Sequence, residues 1–460
     1  MKLKLLLAAC GAFALAACDL DRDNPNAPTQ EVALSSADGM IGLAVGLQNR
    51  FTSSSAQLAY SAGVVTDELG AVAAAVVTIS DAELGQVPAG ANLTGDLWGS
   101  SYRTIKTAND ILVNARGIEM DPGTRSGILA LAYVLKAGAI GELLMAYERV
   151  ALDTYGTGGA TTFADRATAL ASVRTLLDSA EQTLNETPPS TVFSTTILAR
   201  GFDLRNTLFA YRARYDRMAG RYTEALAAAN AVSRTVFSQF PHDATVPNRL
   251  FSFSSGSSGV LPRDVFLAAA AAAGETVRGT YHVTATANLN GRVEPLDNYA
   301  RYNVNSASFP SYYPDEVLLI KAEALLLLNR ETEARAALDS VRRDCSTAAT
   351  PFGAVTGDPN ACRPPLTGTE TPAQLLDEIY ANRRFELFAT GLRWEDLRRR
   401  GLVGSAASAP TKRCWLPYPI TERNANPNAS RTALPDPESE APPPNGSACS
   451  NLIVTLPPLP

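Results

Sequence analysis

The sequence predicts a mostly α-helical fold, about four tetratricopeptide-like helical hairpins carrying a loop-rich inserted and C-terminal region. Three observations lead there. Apolar residues recur at three- and four-residue spacing over most of the first 240 positions and again over 314–345 and 373–400, the period of amphipathic helices. Alanine is abundant, which favours close approach of helices, and long alternating strand patterns are few. A hairpin signature also recurs, as set out below.

The first element is an export signal. Lys2 and Lys4 precede an apolar run from Leu5 to Ala17, and Leu15-Ala16-Ala17-Cys18 reads as a lipobox, with residues 1–17 removed and Cys18 acylated. The similar Leu-Ala-Ala-Cys ending at Cys10 would leave too short an apolar stretch for export. A membrane-crossing helix needs about 20 apolar residues, and this run meets Asp19, Asp21, Arg22 and Asp23 at once. Several acyl chains at roughly 0.8 kcal/mol per buried methylene make a stable anchor. Residues 18–31 are polar, Pro/Asn-rich and aperiodic, a lipidated tether whose thirteen residues after Cys18 reach about 45 Å. No later segment reads as apolar enough to cross a bilayer.

Loss of Lys2 and Lys4 leaves 38 Lys+Arg (40 − 2) against 46 Asp+Glu, a balance of −8 that argues against nucleic acid as a partner.

Helical hairpins follow in residues 32–240. Within Leu204 to Ser233, Gly220-x-Tyr222-x-x-Ala225 supplies a glycine for the tight turn, a tyrosine for the groove and an alanine at the contact, with Ala210, Ala213 and Ala228 at further small positions. Asp315 to Arg343 repeats the layout with Asn329 at the glycine position, a residue that tolerates the left-handed conformation. Weaker versions run over Leu97 to Tyr147 and Phe163 to Leu184. Residues 241–460 read as a C-terminal region with loop insertions and the last hairpin, and the insertions differ in character: 235–314, which begins just ahead of it, is rich in Ser, Gly, Phe, Tyr and Asn, whereas 347–371 and 405–460 are Pro/Gly-rich and irregular. Loops on a rigid scaffold are where binding surfaces usually sit.

Four cysteines follow Cys18, an even number in an oxidising compartment. Pairing Cys345 with Cys362 and Cys414 with Cys449 closes two modest loops, and disulfides are favoured. Zinc is the alternative, but no Cys-x-x-Cys exists and the only histidines, His242 and His282, lie far off in sequence, so no metal and no cofactor is expected.

Several ordered motifs add up to a family. The lipobox, the helix Trp98-x₃-Tyr102-x₂-Ile105-x₂-Ala108-Asn109, the hairpin at 315–343, the block Arg384-x-Glu386-Leu387-x₃-Gly391-x-Arg393-x₂-Asp396-Leu397-x-Arg399 and the ending Leu416-Pro417-Tyr418-Pro419-Ile420-x-Glu422-x₃-Asn426-Pro427-Asn428 resemble the RagB/SusD nutrient-uptake lipoproteins. The resemblance implies a mostly helical, non-catalytic surface lipoprotein of the outer membrane. Such a protein binds glycan or peptide and delivers it to a SusC-like TonB-dependent transporter. A structural or assembly lipoprotein built of the same hairpins is the alternative. The chain departs from the family pattern in its interrupted acidic run after Cys18 and in Thr421, where a proline is common.

Within the charged block, Glu386 and Arg393 would share a face if one helix continued, and Arg393/Asp396 and Asp396/Arg399 are i,i+3 pairs. Arginines outnumber carboxylates there, so packing is expected rather than acid/base catalysis, which needs two carboxylates facing a cleft. Gly391 is expected to end one helix and let Trp394 turn inward. Trp98, Trp394 and Trp415 read as scaffold residues, alongside Asn109, Glu386, Gly391, Arg393 and Asp396. Tyr and Phe must then supply any stacking on a ligand. The densest aromatic stretch holds Phe251, Phe253, Tyr281, His282, Tyr299, Tyr302, Phe309, Tyr312 and Tyr313. Tyr281, Tyr299 and Tyr302 are candidate ligand contacts, with Arg292 and Arg301 as donors. A second candidate rim is Tyr60, Asp67 and Glu68, placed in the loop after the first helix. No Gly-x-Ser-x-Gly, phosphate loop or His-Glu-x-x-His occurs.

Overall fold

The computed structural model describes residues 30–72, 77–154, 161–254, 259–288, 295–345, 358–403, 413–432, 449 and 456. The signal, the lipobox at Cys18 and Arg292 lie outside the described residues. The described chain starts in a helix, Gln30–Ser35, just inside the stretch read as tether.

Four helical hairpins form the body. Ala37–Val65 pairs with Asn92–Asn114, Pro122–Ala146 with Arg166–Glu186, Leu204–Met218 with Tyr222–Ala231, and Pro314–Leu327 with Glu331–Arg342. Helices Pro372–Glu386 and Arg393–Arg399 close the stack. Starts are set by local chemistry. Ser36 accepts from Gly39 N, Asp121 from Thr124 N ahead of Pro122, and Asp165 and Asp203 cap in the same way. Thr371 and Gln374 form a capping box. The expected turns are in place: Gly220 has φ 71° and Asn329 φ 59°. The weaker hairpins fall differently. The 163–184 segment has no internal turn residue and folds as the short strand Phe163–Ala164 leading into one unbroken helix from Arg166, and 97–147 spans the partner halves of two neighbouring hairpins.

Pro122–Ala146 is, against the sequence expectation, long and apolar enough to cross a membrane. Its apolar surface is instead enclosed by protein: a Cβ at Gly141 would lie 2.1 Å from the Tyr215 ring, and one at Gly127 2.3 Å from that of Phe193. Uniform hydrophobicity here marks the central helix of the body.

The strands are short antiparallel pairs: Leu69–Ala71 with Val260–Pro262, Val150–Ala151 with Phe163–Ala164, Gln239–Phe240 with Phe309–Pro310, and Val283–Asn288 with Leu296–Tyr299. Cys345 is bonded to Cys362 and Cys414 to Cys449.

A buried ionic network ties the later helices to the earlier ones. Arg217 donates to Glu323 Oε2 (2.6 Å) and Asp396 Oδ1 (2.9 Å), Arg383 Nε to Asp396 Oδ2 (2.8 Å), and Arg399 to Glu323. Arg166 and Arg398 hold Glu395 at 2.6 and 3.0 Å. Burial disfavours the charge on Glu395, yet Arg166 and Arg398 bring its carboxyl down to about 2. The i,i+3 pairing read from the sequence does not form, because Asp396 reaches across to other helices. Glu386 and Arg393 do not share a helical face either. The first helix ends at Glu386, the chain turns through Ala389 (φ 54°) and Gly391 (φ 83°), and Glu386 meets Arg278 at 3.3 Å. Beyond that turn Trp394 is fully buried and donates to Arg413 O at 2.8 Å.

Candidate functional site

Two helices of the first hairpin carry facing polar stripes. On Ala37–Val65, Asn49, Arg50, Ser53 and Gln57 follow one another at helical spacing; on Asn92–Asn114, Asp96, Ser100 and Arg103 do the same. Together with Arg249 they line a cleft of about 360 Å³, within the range of small-ligand sites. Gln57 is buried, whereas Arg50, Asp96, Arg103 and Arg249 are exposed. Three guanidiniums against one carboxylate leave the cleft positive on an otherwise acidic chain.

An aromatic pair stands beside it. Tyr60 and Phe253 have ring centroids 4.8 Å apart, and the Arg249 guanidinium sits 5.1 Å from the Phe253 centroid. Burial, followed by the nearby Asp96 carboxylate, pushes the Tyr60 phenol up to about 12, so it stays protonated and able to donate. Tyr60 lies in the last turns of Ala37–Val65 rather than in the loop after it. Asp67 is in that loop, in the left-handed region (φ 62°) and bridged to Arg263 at 3.1 Å. Glu68 is buried under the same corner. Desolvation raises its carboxyl to about 7 against the pull of Arg393. This corner abuts the Leu69–Ala71 and Val260–Pro262 strand pair.

The aromatic stretch of the insertion turns inward instead. Tyr299 and Tyr302 are core residues, 4% and 1% exposed, with rings 5.8 Å apart, and Tyr302 stacks on Phe309 at 6.0 Å. Their reading as ligand contacts gives way to packing, because the rings face one another across the folded insertion. Tyr281 and Arg301 are half-buried. Arg301 lies 5.5 Å from the Tyr281 ring and donates to Gln239 Oε1 (3.2 Å) and Ser308 O (3.3 Å), so its guanidinium is held internally. His282 is buried and, through desolvation first, lowered to about 3, hence neutral.

A second pair of adjoining clefts, about 290 and 550 Å³, shares Asp153 and Thr161 and is lined by Trp98, Tyr102, Phe163, Glu422 and Asn426. Trp98 reaches this cleft but is only 6% exposed; its indole donates to Glu422 (3.3 Å) and its ring packs on Tyr102, Tyr147 and Phe163. Asn109 donates to Thr154 Oγ1 at 2.9 Å. These groups serve the scaffold. Asn49, Arg50, Gln57, Asp96, Arg103 and Arg249 were the residues that sequence reasoning missed. Their only signal was the helical spacing that puts polar residues on one face of each helix.

Chemically, the first cleft can bind and orient. Among the described residues it offers a single carboxylate, short of the opposed pair that glycoside hydrolysis requires.

Comparison with known proteins fits this architecture. Residues 297–404 match the family model described as "SusD family". A SusD superfamily protein from Bacteroides thetaiotaomicron is similar at 16% identity over 85% of this chain and 98% of that one, with a TM-score of 0.63. A SusD homolog from the same organism gives 15%, 86%, 97% and 0.65. A laminarin-binding SusD-like protein gives 15%, 85%, 98% and 0.61. No protein of curated function matches. Residues 297–404 thus match the SusD family model, and the chain shares the fold of these SusD-superfamily structures.

Proposed function

We propose that this SusD-like chain is a non-catalytic glycan-binding lipoprotein. Anchored through Cys18 at the outer membrane, it hands its ligand to a SusC-like TonB-dependent transporter. The observation that carries the reading is the polar cleft between the first two long helices, with the Tyr60/Phe253 rings at its edge. Side chains rich in N–H and O–H groups beside a ring face suit a polyhydroxylated ligand: the donors take hydroxyls and the ring takes sugar C–H surface. A peptide would call for a more apolar lining. Arg50, Arg103 and Arg249 favour a glycan that carries carboxylates, since a guanidinium binds a carboxylate in two parallel hydrogen bonds. The fold shared with a laminarin-binding protein and the lipobox support the same reading.

The test is calorimetric titration of the chain from Asp19 with neutral β-glucan and with uronate-containing oligosaccharides. Arg103→Ala should weaken binding about tenfold or more, on the scale of about 1.5–3 kcal/mol for a charge-assisted hydrogen bond. Tyr60→Ala should weaken it about threefold to tenfold. Unchanged affinity in both folded variants, or cleavage of the glycan, overturns the reading. Metabolic palmitate labelling lost in Cys18→Ala, and recovery of a TonB-dependent transporter with the detergent-solubilised protein, test anchor and partner.

A further inference from the structure

Three carboxylates from separate segments meet inside the protein, away from the cleft. Asp315 stands in the first turn of Pro314–Leu327, Asp344 follows the end of Glu331–Arg342, and Asp358 comes from the stretch ahead of Cys362. One oxygen from each lies within 4.8 Å of the others. The three residues are only 2%, 3% and 2% exposed.

Four of their six oxygens lack a donor among the described residues. Asp315 Oδ2, Asp344 Oδ1 and both oxygens of Asp358 are buried without a hydrogen-bond partner among the described residues, as is Asn360 Oδ1 two positions on. Buried carboxylates normally have a cation or donors against them, because desolvating an unpaired charge costs several kcal/mol. Of the two guanidiniums whose fields reach the cluster, Arg278 is fully committed. Its Nε and Nη2 donate to Glu275, Nη2 also to Asn382 Oδ1, and Nη1 to Asn382 O and Glu386 Oε2. Arg234, whose field also reaches Asp315 and Asp344, is an exposed side chain. Burial first, then mutual repulsion with Glu386 and Asp344, raises the Asp315 carboxyl well above its ordinary value, as it does for a cluster lacking countercharge.

We propose that Asp315, Asp344 and Asp358 form a structural calcium site that pins the disulfide-bridged segment to the start of the fourth hairpin. The donors are all oxygen, which selects a hard cation over zinc or copper. Separations up to 4.8 Å match oxygens on opposite sides of an ion bound at about 2.3–2.6 Å, and calcium tolerates the irregular geometry that three unrelated segments supply, where magnesium demands a regular octahedron. Asp344 O accepts from Cys362 N at 2.9 Å, and Cys345 is bonded to Cys362, so the cation and the disulfide fasten the same segment side by side. Sequence analysis directed at Cys and His spacing could not find these ligands, which are three aspartates without a motif.

The chain from Asp19, stripped with chelator and passed over a chelating resin, is titrated with Ca²⁺ at pH 7.5 and melted with and without it. One site of sub-millimolar affinity is expected, with Tm raised by about 3–5 °C at a hundredfold excess over Kd. Asp344→Asn and Asp358→Asn keep side-chain shape. Each should weaken Ca²⁺ binding at least tenfold and remove the Tm response, while the metal-free Tm holds or rises as a buried unpaired charge disappears. Elemental analysis of the wild-type chain after gel filtration in Ca²⁺ should give one calcium per chain, a readout that needs no variant. Absence of heat and of any Tm shift at 10 mM Ca²⁺, no retained calcium, or a full response in both variants overturns the assignment.

Discussion

Replacing Asp396 by Asn tests whether the body is held by its buried charges. Asp396 accepts from Arg217 at 2.9 Å and Arg383 at 2.8 Å, and those arginines are 2% and 1% exposed. Arg217 keeps Glu323 at 2.6 Å and the Tyr380 hydroxyl at 2.9 Å after the change. Arg383 keeps no carboxylate partner among the described residues. Stranding one partner of a buried ion pair costs about 3–5 kcal/mol, and because the amide oxygen still accepts one hydrogen bond, about 3 kcal/mol is expected. Arg383→Met in the same chain removes the stranded cation, so the double variant should be less destabilised than the sum of the singles by about 1–3 kcal/mol. Equilibrium urea unfolding followed by far-UV circular dichroism measures both quantities. Against the opposing effect of burial, Arg383 and Arg217 hold the Asp396 carboxyl below its ordinary value. Its contribution is therefore present above the unfolded aspartate value of about 3.9 and lost as pH falls through the folded one, and the wild-type advantage should shrink in acid. A loss below about 1 kcal/mol at pH 7, or strict additivity, refutes the argument.

Two further outcomes follow from burial. Tyr302→Ala should cost about 3–5 kcal/mol, as for other large aromatic truncations in a core, with glycan affinity unchanged below the melting range; weakened binding at unaltered Tm would return Tyr302 to the binding surface. Glu142, which accepts from Ser55 at 2.5 Å, is raised to about 8, by desolvation first. Between the unfolded glutamate value of about 4.3 and the folded one the native state holds a proton that the unfolded chain has released, so stability falls as pH rises through this window. Glu142→Gln should match wild type near pH 5 and exceed it near pH 9 by roughly 2–4 kcal/mol; a pH-independent difference between the two melting profiles would contradict this.

The third and fourth hairpins were legible because their signals are local. Gly220 and Asn329 mark turns by backbone chemistry alone. The binding surface was not, because ring density does not say which way rings point. Tyr299 and Tyr302 look the same in sequence whether they face a ligand or each other. Tyr60 was found, but its neighbours Arg103 and Arg249 belong to elements far apart along the chain, and only the packing of three helices brings them together. The partners of Asp396 escaped for the same reason: local i,i+3 geometry competed with long-range arginines and lost.

The glycine-backed contacts of Pro122–Ala146 bear on how such a protein can change. Where Gly127 and Gly141 meet Phe193 and Tyr215, even one methyl group has nowhere to go. Diversity is thereby channelled outward, to the exposed Asn49, Arg50, Arg103 and Arg249 at the cleft. A library confined to those rim positions should retain folding while sampling new cargo, whereas one spread over the central helix should be mostly dead on expression.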